Sequence, residues 1–565
     1  MNFLKYIGGH NTGQDRLIAL IILSTIFFFV YAALSFFAPQ MFASPDETAN
    51  YFFIDNFRRT GSFTFSEQLN ILADGTIHPR SMVANGAQIV PGSFLGMPLI
   101  YGLLAKVFGM GVVPFLTPLF ASISVVIFYL FLRKIFSESV SFYSSLLMYV
   151  LPPFWYYTSR GMFHNVFFIC LCVCGAYFFA AAFLGRVKKG IGLVYSGTAG
   201  LFLGLAIATR VSEIFWVGLA VGILFAVSIV KNKKKDIAQW ALFFVVLGLM
   251  MVLVVYIQRL VYGTALSSVY SSPTLSEEAV TSPDAASRLR SVYYWILPFG
   301  INISQIAFSC KSYIIRFFPV YSLFLLCGLV VYVQHYFLKI RSVFLKRTFH
   351  IHEVVTKNER LYFLMFVSVS LWMVAYYGSY QFNEFFDREK IILGSSYLRY
   401  WLPIYVFGLP IAVIGLRRVV VLVASEKYAS KVLSCILIIF VALSLYRVLL
   451  DPLYGLVQTR DNLVHAQEQS EQVVVLTEEN ALIISGNADK LFFPKRKVMV
   501  ALPDEQQSAQ VLLQKLCSVV PVYYFYNPLS IEQKNELDEL AQNFRLTRVY
   551  TFEGTGEKMY KISAY

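Results

Sequence analysis

Ala43-Ser44-Pro45-Asp46-Glu47-Thr48-Ala49-Asn50-Tyr51 follows closely on an apolar run, Leu17 to Ala38, that is long enough to cross a bilayer. The stretch continues to a polar loop, His78-Pro79-Arg80-Ser81-Met82. Two adjacent carboxylates, Asp46 and Glu47, therefore stand where the chain leaves the membrane. Acids at that depth are costly unless they are used. The same residues also spell a helix start. Ser44 suits the N-cap, Pro45 the first helical position, and Glu47, three residues after the cap, completes a capping box. The two readings are compatible, because a helix start holds a carboxylate rigidly.

Of the 565 residues, 57% are hydrophobic, 17% aromatic and only 14% charged. The long apolar runs recur along the chain, which excludes one large soluble core and predicts a polytopic membrane protein. Tyr and Phe, 36 and 52 residues, suit helix ends among lipid headgroups. The net charge is +14, but the basic residues gather in short loops between apolar runs, so they report orientation and do not predict a nucleic-acid partner. Cys170, Cys172 and Cys174 do not share a helix face, and the seven cysteines read as small hydrophobes rather than metal ligands or disulfides. The first apolar run is too long for a signal peptide and reads as a retained first helix.

About eleven spans are expected, from Arg16–Ala38 to Lys431–Leu450, with Val140–Leu151 and Ile191–Ala208 short. If the N-terminus is cytoplasmic, the inner loops carry Arg133-Lys134, then Arg186, Lys188 and Lys189, then Lys231 to Lys235. They continue with Lys339, Arg341, Lys346 and Arg347, and end with Arg417-Arg418 and Lys427. Every inner loop is then basic, which puts the Asp46-Glu47 loop and the C-terminus outside. The first outer loop spans residues 39–109. Its second half, Pro91 to Tyr101, is apolar but rich in Gly and Pro, and reads as an interfacial helix. A second outer loop, Val261 to Ser312, is Ser-rich. A third, Gly378 to Ser396, carries Asn383, Glu384, Asp387, Arg388, Glu389 and Lys390. The expected membrane domain is residues 1–450. Residues 451–565 are polar, alternate short β-type runs with helical patterns, and read as a small extracytoplasmic α/β domain. The domain has no nucleotide-binding glycine loop, and a scaffold or acceptor-docking role is its default.

In order along the chain come Ser44-Pro45-Asp46-Glu47 with Asn50-Tyr51, Pro98-Leu99-Ile100-Tyr101 ending at Phe108-Gly109, and Ser159-Arg160. They are followed by Ala208-Thr209-Arg210, Tyr262-Gly263-Thr264-Ala265-Leu266 and Tyr397-Leu398-Arg399-Tyr400-Trp401-Leu402-Pro403. Each is weak alone. The ordered set resembles the GT-C superfamily of integral membrane glycosyltransferases, whose protein O-mannosyltransferase and lipid A aminoarabinose transferase branches use polyprenyl-phosphate-linked sugars. The resemblance implies a lipid-linked sugar donor and a protein, lipid or glycan acceptor, met at the outer face of the membrane; Ile562-Ser563-Ala564-Tyr565 carries no retention signal, which favours a prokaryotic plasma membrane over an endoplasmic reticulum. An acceptor hydroxyl attacking the anomeric carbon needs a carboxylate to take its proton and cations to steady the departing phosphate. The family pattern puts the base at Asp46, with Glu47 in support. Asn50, Tyr51, His78, Arg80, Arg160, His164, Asn165, Arg210, Arg399 and Tyr400 are the expected substrate-binding residues. Arginine suits the phosphate because it stays charged and binds oxygens bidentately, although snorkelling to headgroups explains outer-loop arginines equally well.

One departure stands out. Many relatives place a second acid shortly after the Ser-Arg of the second outer loop, where this chain has His164 and Asn165. His164 would serve there as a hydrogen-bond partner or acid/base group, or simply as a packed histidine. No cofactor is required. Asp46, Glu47, His78 and His164 could meet around a divalent metal, but no ligand spacing calls for one. Three rival classes remain, one of them a non-catalytic scaffold. A transporter or flippase would show acids or broken helices at mid-membrane and two similar halves. An outer-face glycan ligase or polymerase would rely on Arg and His in a large loop without the early acidic pair.

Overall fold

The computed structural model describes residues 13–185, 187–230, 237–263, 296–345, 355–381, 393–395, 397–503 and 505–564. Asn383, Glu384, Asp387, Arg388, Glu389 and Lys390 lie outside them, as does much of the Ser-rich loop. Among the described residues ten helices are long and apolar enough to cross a membrane. They are Gly13–Phe37, Met110–Leu132, His164–Phe183, Lys189–Thr209, Val211–Val230, Ile237–Tyr262, Pro319–Phe337, Lys357–Gly378, Leu398–Val423 and Tyr428–Leu450. The chain is a polytopic α-helical membrane protein. Its Ile237–Tyr262 helix shows why lipid is needed, because Val245, Leu249, Val252 and Leu260 all stand exposed along it.

The remaining expected span, Val140–Leu151, is the 12-residue helix Glu138–Tyr149, followed at once by the 8-residue helix Pro152–Ser159. Pro152 and Pro153 cause the break: neither has an amide hydrogen to give the preceding turn, and both suit a first helical turn. Twelve residues rise about 18 Å against a hydrocarbon core of about 30 Å, so a crossing here needs both pieces. The Gly- and Pro-rich run of the first loop forms the helix Gly96–Phe108. All seven cysteines are free thiols.

The chain divides into two compact units. The first comprises Met1–Ala33, Phe115–Leu253 and Ser272–Gln458. Apolar helices gain no hydrophobic drive against one another in lipid, so close backbone contact takes its place. The helices Pro319–Leu345 and Leu402–Val423 use it: a methyl on Gly328 would strike the Ile411 carbonyl, and one on Gly415 the Phe324 carbonyl. The Tyr321 hydroxyl, fully buried, donates to the Tyr405 carbonyl at 2.9 Å beside this crossing.

The second unit joins Leu34–Pro114, Val254–Ser271 and Thr459–Tyr565. Its five-stranded sheet runs in the spatial order Lys497–Met499, Leu482–Ile484, Val522–Tyr526, Lys558–Ser563, Arg545–Thr551. The first three strands are parallel and the last two antiparallel. Side chains alternate across a strand, and here both faces are covered. Ile483, Tyr523 and Phe525 pack with Ala49, Phe53, Phe63, Met82 and Ile89 of the first loop. Leu482, Ile484, Val522, Tyr524 and Tyr526 face the other way, onto Leu513, Leu516 and Leu540 of the helices Gln506–Cys517 and Ile531–Asn543. That is why all five residues of Val522–Tyr526 are buried. A smaller antiparallel sheet, Phe65–Ser66, Gln88–Pro91 and Met82–Asn85, shapes the loop itself.

At the sheet's edge the Glu478 carboxylate accepts from Tyr523 Oη at 2.6 Å and Lys561 Nζ at 2.7 Å. Burial alone would raise its pKa, but these two donors outweigh burial and lower it to about 2. A lowered carboxylate pKa stabilises the fold above its unfolded value and loses that contribution as pH falls through the folded one. We therefore expect the difference in thermal unfolding temperature between wild type and Glu478→Gln to be present at pH 6 and to shrink between about pH 4.5 and pH 2. In the first unit, Gly415→Leu should cost about 1–3 kcal/mol through overpacking, read as a lower unfolding midpoint of the purified protein in detergent.

Candidate active site

Asp46 lies in the second unit. Ser44 has extended backbone, and its hydroxyl accepts from the Asp46 amide at 3.3 Å. Glu47 reaches back to accept from the Ser44 amide at 3.1 Å, so the capping box read from the sequence is present. Glu47 is thereby spent on the helix start and buried, as is Asn50. The Asp46 carboxylate, not used in the cap, accepts a hydrogen bond from Ser81 Oγ at 2.5 Å.

Ser81 was not expected in the site. It has φ +62, a left-handed conformation unusual for a residue with a Cβ. Its carbonyl accepts from the Gly92 amide at 2.9 Å, and a Cβ on Gly92 would sit 2.8 Å from the Ser81 carbonyl carbon. Only glycine lets the two backbones approach this closely. Nothing in a lone Ser between Arg80 and Met82 signals this role.

The Arg80 guanidinium, expected near a lipid phosphate, is engaged elsewhere. Nε and Nη2 donate to Asp489 Oδ1 at 3.0 and 2.6 Å, while Nη1 and Nη2 donate to Asn487 Oδ1 and the Asn487 carbonyl at 2.6 and 2.7 Å. The Tyr51 ring lies tilted 5.1 Å from that of Phe42, with its hydroxyl 3.5 Å from Gln40 Oε1. Half-burial, and then the charge of Asp55, push that hydroxyl's pKa up. His78 Nδ1 lies 2.9 Å from the Pro79 carbonyl.

Arg160, His164, Asn165, Arg210, Arg399 and Tyr400 belong to the first unit, and all but Tyr400 are buried. The prolines that end the Glu138–Tyr149 helix set up Pro152–Ser159, and Arg160 follows at its C-terminus. His164 and Asn165 open the next helix, His164–Phe183. Asn165 Nδ2 donates to the Arg399 carbonyl at 3.3 Å, and the Tyr157 hydroxyl to the Leu393 carbonyl at 3.0 Å. The first bond ties the His164–Phe183 helix to the Leu398–Trp401 turn, and the second ties the Pro152–Ser159 helix to Leu393 ahead of that turn. Around them runs an alternation of guanidinium groups and rings. Arg160 lies 4.9 Å and Arg399 4.4 Å from the centre of the Phe163 ring. Arg399 and Arg210 in turn lie 5.5 and 4.9 Å from the Tyr400 ring. Buried cations over ring faces gain about 2 kcal/mol each when desolvated.

Arg210 has a carboxylate partner that sequence reasoning missed. Nε and Nη2 donate to Glu213 Oε1 at 2.9 and 2.6 Å, the Tyr377 hydroxyl donates to the same oxygen at 2.5 Å, and Trp216 Nε1 caps Oε2. The signal was available, because an Arg and a Glu three residues apart face each other on a helical turn. Among the described residues no group of three or more His, Cys, Asp or Glu converges as a metal site would.

The fold is placed by solved structures. No family model matches the chain, and no curated protein matches it by sequence. Solved structures do. The Archaeoglobus fulgidus oligosaccharyltransferase in its apo form superposes with a TM-score of 0.54 at 11% identity, over 96% of this chain and 74% of that one. The same archaeal enzyme, AglB, in complex with an inhibitory peptide and a dolichol-phosphate gives 0.53 at 10% identity over the same shares. The chain has the GT-C fold. ArnT from Cupriavidus metallidurans bound to undecaprenyl phosphate is also similar, with a TM-score of 0.49 at 10% identity, over 96% of this chain and 97% of that one.

Glu213 and Arg399 should respond differently to substitution. Glu213→Ala leaves the Arg210 charge buried beside Tyr377 without its carboxylate and should cost about 3–5 kcal/mol of stability, read as loss of folded protein on size-exclusion chromatography. Arg399→Lys keeps the charge but gives up the planar stacking on Phe163. We expect that variant to fold and to bind polyprenyl phosphate more weakly, as measured by scintillation proximity.

Proposed function

We propose that the protein is a glycosyltransferase that moves a sugar from a polyprenyl-phosphate donor to a hydroxyl-bearing acceptor, with Asp46 as general base. The observation that carries this reading is the Asp46 carboxylate. It sits at the exit of the first span, is left over from the capping box, and is aimed by the Ser81 hydroxyl at 2.5 Å. A carboxylate needed only for the cap would not require a second, strained residue to orient it. Low identity carries fold alone, and so the chemistry rests on these residues.

In the proposed reaction the acceptor oxygen attacks the anomeric carbon as its proton passes to Asp46. The bond from that carbon to the phosphate oxygen breaks, and its electron pair leaves with polyprenyl phosphate. Glu47 supports Asp46 by fixing the helix start. Arg160 and Arg399 supply fixed positive charge for the phosphate, where preorganised donors stabilise developing charge without reorganisation. Their common placement over Phe163 supports this assignment. Arg210, bound by Glu213, holds Tyr400 and its neighbours in place. Asn50, Tyr51, His78, His164 and Asn165 remain the further candidates for contacts with sugar and acceptor. The alternation of basic loops supports a cytoplasmic N-terminus, with the first loop and residues 451–565 outside.

The test is a transfer assay in nanodiscs with a panel of radiolabelled polyprenyl-phosphate monosaccharides, wild type beside Asp46→Asn. Release of polyprenyl phosphate by wild type should fall about 10²–10⁴-fold in the variant while donor binding persists. Transport of an intact sugar lipid between leaflets without its cleavage would instead establish the flippase reading.

A further inference from the structure

Sixteen residues of helix and a five-residue loop meet at Asp46, and both are held from the same place. The C-terminal domain presents a turn, Gly486–Ala488, followed by the short helix Asp489–Phe492. Asp489 is fully buried. Its Oδ2 accepts the backbone amide of Arg80 at 2.7 Å, while Oδ1 takes the Arg80 side chain. The next residue after Arg80 is Ser81, the hydrogen-bond donor to Asp46. The next residue after Asp489 is Lys490, whose Nζ donates to the Ala43 carbonyl at 2.6 Å, one residue before the N-cap. Two consecutive residues of the C-terminal domain thus grip the two backbones whose side chains meet at the candidate base.

The form of the grip matters. A buried carboxylate that needed only neutralising would be satisfied by a guanidinium. Asp489 also accepts a main-chain amide, which fixes where the loop backbone lies as well as its charge. Ser81 at φ +62 is strained, and such a conformation persists only where its surroundings over-determine it. The Arg80 clasp on one side and the approach of Gly92 on the other do so. The aromatic contact of Phe493 with Phe52 and Phe65, ring centres 4.8 and 6.3 Å apart, seats the same segment against the Pro45–Thr60 helix.

We propose that Asp489 and Lys490 of the C-terminal domain are positioning residues for Asp46, acting through Arg80–Ser81 and through Ala43. This rests on Asp46 being the base. On this view the domain does more than dock an acceptor, because the base is aligned only while residues 487–490 hold the first loop. A displacement of about 1 Å at a reacting group costs on the order of 10²-fold in rate, so loss of either grip should appear in the chemical step.

The experiment uses the full chain in nanodiscs, with Asp489→Asn, Lys490→Met, Ser81→Ala, Asp489→Asn/Ser81→Ala and Glu478→Gln. Amide hydrogen exchange is read over residues 43–48 and 79–82, and turnover is read with whichever radiolabelled polyprenyl-phosphate monosaccharide wild type cleaves. We expect Asp489→Asn and Lys490→Met each to raise exchange over residues 43–48 and to lower kcat about 10- to 100-fold, with donor KM within about twofold. The double variant should be no slower than Ser81→Ala alone, because both changes act through one contact. Glu478→Gln breaks a surface contact of the same domain and should leave exchange at residues 43–48 and kcat unchanged. Should Asp489→Asn not fold, Lys490→Met tests the other grip by the same readouts. Unchanged exchange at residues 43–48, or a rate loss from Asp489→Asn that multiplies with that of Ser81→Ala, overturns the proposal. Turnover that persists in Asp46→Asn overturns the base reading, and the positioning role with it, whatever the exchange data show.

Discussion

Hydrocarbon cannot solvate a charge, and the placement of ionisable groups in this protein follows from that constraint. The charged residues buried in the first unit, Arg160, Arg210, Glu213 and Arg399, all sit at the ends of helices that are otherwise apolar. Rings take the place of water around them: Phe163 lies against two guanidinium groups, and Tyr400 against two. A ring face offers a cation partial negative charge without carrying charge itself.

In the second unit the governing contact is water-facing but equally constrained. The sheet of residues 482–563 has two apolar faces and only one layer of its own helices. The other face is covered by the first loop, with Phe53, Phe63, Met82 and Ile89 supplying the missing layer. An α/β sheet needs both faces buried to be stable. The C-terminal residues and the loop that carries Asp46 are therefore one folding unit, although more than four hundred residues separate Arg80 from Asp489 along the chain. The packing of that loop then depends on C-terminal residues whose composition alone marks them as an appendage.

Much of this was legible in the sequence. Apolar runs long enough to span and the Ser44–Glu47 capping box are local properties, set by side-chain chemistry within a turn or two of helix. The GT-C architecture was legible from the order of short motifs, even though no family model matches the chain. Glu213 was readable and was overlooked, since its spacing from Arg210 is itself a helical pairing signal. Arg80 had been expected beside a phosphate because an outer-loop arginine resembles any other. What it binds depends on Asn487 and Asp489, which no local pattern connects to it.

The sequence by itself determined the class of molecule, the order of its apolar helices, and the helix start at which two acids stand together. Periodicity and hydropathy are sums over neighbours in the chain, and so they survive without knowledge of the fold. Only the tertiary structure decided that Glu47 closes the cap while Ser81 hydrogen-bonds Asp46, and which arginines lie against aromatic rings. Those assignments are pairings between residues far apart in the chain. Their energies come from burial and from hydrogen bonds with a single geometry, and a linear pattern does not encode them.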